Sequence, residues 1–149
     1  MSRTIEKLAM LIRIRGRERD RLKQALLEAC QSHDECSALL ARRQQQADAA
    51  KARYEAALQA RAAAPADMLV ADYSRGQQDQ FRAAAENVEQ VSDDLTDAAA
   101  RLQAAKSRHQ RAQLRLDVLK DRLDKARRQE NRRIEAAGPE SRSVQGLMA

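Results

Sequence analysis

The chain has no Trp, one Phe and two Tyr, so the large rings that fill a globular interior are nearly absent. It has only four Gly and two Pro, too few to supply the turns of a many-stranded sheet fold. No stretch of 18 apolar residues exists, which excludes a membrane-spanning helix. The N-terminal residues lack the apolar block and cleavage site of a secretory signal, and a cytoplasmic protein is expected. The two cysteines, Cys30 and Cys36, lie six apart on one predicted helix, about 9 Å along its axis, and cannot bridge. They suit a reducing compartment.

What is present is alanine and charge. Of the 64 hydrophobic residues 30 are Ala, and 34% of the 149 residues are charged, the signature of long helices. A heptad register with steps of three and four runs from Ile5 through Leu8, Ile12, Arg15, Arg19 and Leu22 to Arg61, with 12 of its 17 positions apolar. A second runs from Phe81 through Ala84, Val88 and Val91 to Ala137, with 14 of 17 apolar. Such narrow stripes sustained over many heptads are coiled-coil seams.

Pro65 should end the first helix, and Ser74 followed by Gln77 reads as a capping box opening the second. Gly138-Pro139 is a stop signal. The expected fold is therefore all-α, a long two-helix antiparallel coiled-coil hairpin. Its parts are helix 1 over about 3–63, a loop over about 64–74, helix 2 over about 75–137 and a flexible tail over 138–149. Two helices of roughly 60 residues would each run about 90 Å. Folding about residue 71 sets Tyr54 near Val88, Leu40 near Leu102 and His33 near His109, and a monomer is expected when free. Alanine layers at Ala47, Ala50, Ala57, Ala98, Ala105 and Ala112 bury little area, and Gly16 should loosen the first turns.

Charge is uneven. Residues 1–66 carry 13 basic and 8 acidic groups, 67–97 carry 2 and 8, and 98–149 carry 13 and 6. The paired ends of the hairpin are thus basic, which calls for an acidic partner or a polyanion, a solvated charged face being the plainer explanation. Nucleic acid is disfavoured: there is no zipper after the basic run, no aromatic platform, and Asp20, Asp121 and Asp124 interrupt the stripe. Arg15 and Arg19 occupy seam positions, where a partner's carboxylates could meet them. His33 and His109, with Cys30, Asp34 and Cys36 nearby, could be read as a metal site; polar seam residues more often fix register, and no metal is expected. No phosphate loop, zinc-type cysteine pairing or activated nucleophile occurs, so neither catalysis nor a cofactor is expected.

The segment Leu8-Ala9-Met10-Leu11-Ile12-Arg13-Ile14-Arg15-Gly16-Arg17-Glu18-Arg19 resembles the N-terminal segment of the YscO/FliJ family, stalk proteins of bacterial type III secretion and flagellar export. The Leu-Ile-Arg-Ile-Arg run is more similar to the virulence branch, and the likeness extends to about Ile134; Gly16 departs from it. The resemblance implies a non-enzymatic hairpin at the cytoplasmic face of a secretion apparatus, whose paired helical ends enter the hexameric export ATPase and couple it to an export-gate membrane protein. Export chaperones are further candidate partners. It implies that Ile12, Arg13, Arg15, Arg19, Arg122, Arg127, Arg128, Arg132 and Arg133 face the ATPase, and that Tyr54, Phe81 and Val88 face the gate or a chaperone. The alternative is a generic coiled-coil adaptor or tether with a basic end for some other acidic surface or nucleic acid.

Overall fold

The computed structural model describes the backbone of residues 2–148 and the side chains of residues 2–138. Within these, the chain forms two helices, α1 (Arg3–Ala63) and α2 (Met68–Met148), and no strand. The chain divides into two compact units, a loop unit of Leu27–Ala104 and a terminal unit of Met1–Leu26 with Ala105–Ala149. In each, a length of α1 lies against a length of α2, giving the expected all-α helical hairpin fold.

The seam follows the heptads. Every position of the first register from Ile5 to Ala57 is buried or half-buried except Arg15, and every position of the second from Phe81 to Glu130 is too. In the loop unit the buried residues are mostly small: Ala47, Ala50, Ala57, Ala71 and Ala98, with Val91. Alanine at the seam permits close helix approach and contributes little buried area. In the terminal unit Ile5, Ala112, Leu116 and Leu123 are buried, Leu116 most completely at 1% exposure.

The connection is shorter than the sequence suggested. Asp67 N donates to Ala64 O at 3.1 Å, closing a turn around Pro65-Ala66. Asp67 Oδ1 then accepts from Leu69 N at 2.9 Å and Val70 N at 3.4 Å, and Asp67 O accepts from Ala71 N at 3.1 Å. Asp67 is thus the N-cap of α2, its carboxylate also favoured by the positive end of the helix. The expected capping box at Ser74 and Gln77 is not formed. With Asp67 as the cap, those residues lie inside α2 on the extended seam, at 1% and 9% exposure. Gln77 Oε1 is buried without a hydrogen-bond partner among the described residues, a desolvation cost in the tip of the hairpin. A cap that sequence reading overlooked also opens α1, where Ser2 Oγ accepts from Thr4 N at 3.2 Å.

Shortening the loop moves the register. Tyr54 stacks on Phe81, with ring centroids 6.1 Å apart and planes 6° from parallel, and not on Val88. The partner lies one heptad earlier than expected. In this register His33 falls opposite Leu102, a residue of its own unit. In the terminal unit Arg19 Nη1 donates to Gln113 Oε1 at 3.4 Å across the seam. The pairing of His33 with His109 expected from a fold about residue 71 does not follow from this register.

Cysteines at 54 and 81, with Cys30 and Cys36 changed to serine, are expected to be joined within one chain by a short bismaleimide, whereas cysteines at 54 and 88 are not. Peptide mapping after crosslinking checks this. Preferential linkage of the second pair would restore the longer loop.

The remaining differences lie in α2 and at Gly16. The helix does not stop at Gly138-Pro139 but continues to Met148. Proline in a helix removes one hydrogen bond, here to the carbonyl of Glu135, an exposed residue whose freed carbonyl water can satisfy. Beyond Gly138 the expected flexible tail concerns side chains outside the described residues, as is Ala149 altogether. Gly16 does not interrupt α1, and a Cβ placed on it would meet nothing within 4 Å.

Candidate docking site

The two units differ sharply in charge. The terminal unit has 20 basic and 9 acidic residues, net +11, and the loop unit 8 and 13, net −5. Charge of this size and sign sets up a field that favours anionic partners at the terminal unit.

The candidate arginines of this unit differ in what they already hold. Arg13, Arg127, Arg128 and Arg132 are exposed and make no ion pair among the described residues. Arg133 is exposed and lies 3.8 Å from Glu130 on its own helix. The seam arginines already have carboxylate neighbours within the chain. Arg15 turns outward to Glu18, Nη1 to Oε2 at 2.8 Å. Arg19, with 28% of its side chain exposed, holds Asp20 Oδ1 through Nε at 3.0 Å and Nη2 at 2.9 Å, and reaches Gln113 across the seam. Long aliphatic stems cover the seam while the charged heads leave it. The Glu18 carboxyl is held below its usual range, first by the hydrogen bond from Arg15 and further by the charges of Arg15, Arg115 and Arg21. Surface pairs of this kind contribute little and exchange readily with an incoming carboxylate.

Ile12 is half-buried in the seam, so its position serves the hairpin. Arg122 is exposed and lines an open groove of about 370 Å³ together with Arg15, Leu114, Arg115, Val118 and Leu119. Leu114 is 65% exposed and Val118 50%, and neither is a seam residue. Sequence reading overlooked both, because it followed only the seam. The signal was there: Leu114 and Val118 are apolar residues one turn apart on a helix whose seam is already filled by Leu116 and Leu119.

In the loop unit Tyr54, Phe81 and Val88 are half-buried, and the first two are occupied with each other. The large apolar residues that this unit exposes are instead Leu58, Met68, Leu69 and Tyr73, together with Leu27. Cys30 and Cys36 are free thiols. Among the described residues no three His, Cys, Asp or Glu side chains are grouped to hold a metal, and no helix is long and apolar enough to cross a membrane.

Comparison with family models, with curated proteins and with solved structures returns no match. The docking reading therefore rests on the chain itself.

Proposed function

We propose that the chain is a non-catalytic stalk of a bacterial type III secretion system, whose terminal unit docks in the hexameric export ATPase and couples it to the export gate. The observation that carries this is the charge division. The unit that holds both chain ends has a net charge of +11, and the unit that holds the turn has −5. A basic helical pair suits a pore lined with carboxylates, and Arg13, Arg127, Arg128 and Arg132 are poised for it without breaking an existing ion pair among the described residues. The resemblance of Leu8–Arg19 to the YscO/FliJ segment supplies the identity of the partner. On the loop unit, Met68, Leu69 and Tyr73 offer an apolar surface to a gate subunit or chaperone, in place of Tyr54, Phe81 and Val88.

The purified chain is expected to bind a type III export ATPase as the hexamer and to raise its rate of ATP hydrolysis, measured by phosphate release with sedimentation of the complex. Titration with duplex DNA in the same buffers separates the adaptor alternative. Binding to any duplex with a steep salt dependence, and no effect on the ATPase, would replace the stalk reading with that of a basic tether.

A further inference from the structure

We propose that the groove beside Leu114 and Val118 is a docking site for an acidic amphipathic helix of another protein, separate from the exposed arginines assigned above to the ATPase. The apolar floor is unusual for a helix already packed on one side. The seam of α2 in this unit is completed by Ala112, Leu116, Leu119 and Leu123, of which Ala112, Leu116 and Leu123 are buried. Leu114 and Val118 are surplus to it. They lie one helical turn apart and leave most of Leu114 and half of Val118 in water. No described residue covers them.

The groove also has a second wall. Arg15 of α1 lines it together with the α2 residues, so the depression spans both helices. Arg15 of α1 and Arg115 and Arg122 of α2 line the same groove, which places the two helices' arginines on one flank. By helical spacing Leu11 and Ile14, at 42% and 51% exposure, belong to that same flank of α1. Volume and lining together match the way a helix lays apolar residues at i, i+4 and i+7 into a groove. About 370 Å³ is room for a few aliphatic side chains and too little for a folded surface.

Charge selects the kind of helix. The cations lining the groove are Arg15, Arg115 and Arg122, no carboxylate is among its lining residues, and Glu18 is already bound by Arg15. An incoming helix with Asp or Glu beside its apolar stripe finds complementary charge on the walls, whereas a basic helix is repelled by the wider unit of net +11. A lipid surface would also accept apolar and basic residues, but it favours a convex stripe presented along a helix, and here the apolar residues floor a depression lined from two helices.

The test uses the full chain and a fluorescent synthetic helical peptide with leucines at i, i+4 and i+7 flanked by glutamates. Controls are the same peptide with alanines for the leucines, the same peptide with lysines for the glutamates, and phosphatidylglycerol vesicles. Anisotropy is expected to show binding of the first peptide, weakened about tenfold by Leu114→Ala combined with Val118→Ala, and to a similar degree by Arg115→Glu with Arg122→Glu. These positions are exposed, and circular dichroism should show the helices retained.

Equal binding of the alanine peptide, or no effect of the Leu114 and Val118 changes, would reduce the groove to plain electrostatics and overturn the proposal. Absence of peptide binding overturns it as well, as does capture by vesicles that depends on Leu114 and Val118 while the peptide stays free. The measurement needs no ATPase, so its failure leaves the stalk reading standing, and failure of the stalk reading leaves the groove.

Discussion

Leu116→Ala is expected to destabilise the terminal unit by about 3 kcal/mol, the middle of the range for a fully buried leucine. Leu116 is the large apolar side chain most completely withdrawn from water. It belongs to the same stretch of the seam as Arg15 and Arg19, the second of which reaches across to Gln113, three residues before it. There α1 offers no large apolar seam residue between Ile12 and Leu22, so the stems of the arginines and Leu116 share what apolar packing exists. Removing the leucine leaves charged residues facing a vacancy that alanine cannot fill. The midpoint of thermal unfolding should fall by roughly 6–15 °C. Hydrogen exchange should quicken first in residues of the terminal unit, if the units open separately. Val118→Ala, a half-exposed residue two positions away, should shift stability by less than about 0.5 kcal/mol. Equal losses from the two substitutions would show that Leu116 does not anchor this unit.

The seam was legible because burial on a long helix repeats with the sequence. Large and small residues alike, from Ile5 to Ala57 and from Phe81 to Glu130, sit where the three-four spacing puts them. The pairing of the two seams was not legible, for a reason built into the repeat. Sliding one helix past the other by a heptad again sets apolar layers against apolar layers, so agreement between two registers cannot choose among fold points a heptad apart. The choice is made locally, by the turn at Pro65-Ala66 and the cap at Asp67. Ser74 and Gln77 match the capping pattern equally well on paper. They lose because a proline turn followed at once by aspartate starts the helix sooner, and every further residue of helix gains a backbone hydrogen bond.

The candidate site was legible in charge and illegible in detail. The arginine-rich segments stand out in composition, and their gathering into one unit follows from the hairpin. What composition hides is which arginines are already engaged. Arg15 and Arg19 meet Glu18 and Asp20 on their own helix, three and one residues away, so the carboxylates for them were adjacent in the sequence all along. Tyr54 and Phe81 drew notice as rare aromatics, and rarity here marks a stacked pair in the seam.

On the proposed stalk function, reversing Arg13, Arg127 and Arg128 to Glu should abolish stimulation of the export ATPase while leaving the helices intact. These three are exposed and form no ion pair among the described residues, so the change removes no internal contact seen there and each costs less than about 0.5 kcal/mol of stability. Arg15 and Arg19 are left alone, because altering them would disturb Glu18, Asp20 and Gln113 and confuse docking with folding. The deciding comparison is with Arg42, Lys51 and Arg53, exposed residues of the loop unit, reversed in the same way. Both triple variants lower net charge by the same amount, and so weaken long-range attraction to an anionic partner alike if only total charge matters. Contacts made at close range behave differently. Each carboxylate facing a reversed arginine turns from a charge-assisted hydrogen bond into a like-charge clash, at about 2 kcal/mol or more apiece. Loss confined to the first set therefore locates the contact on the terminal unit, and raising salt should not rescue it fully, because desolvated pairs are poorly screened. Equal loss from both sets would point to steering by net charge alone and favour the adaptor reading. Undiminished stimulation by the first set would remove these arginines from the mechanism.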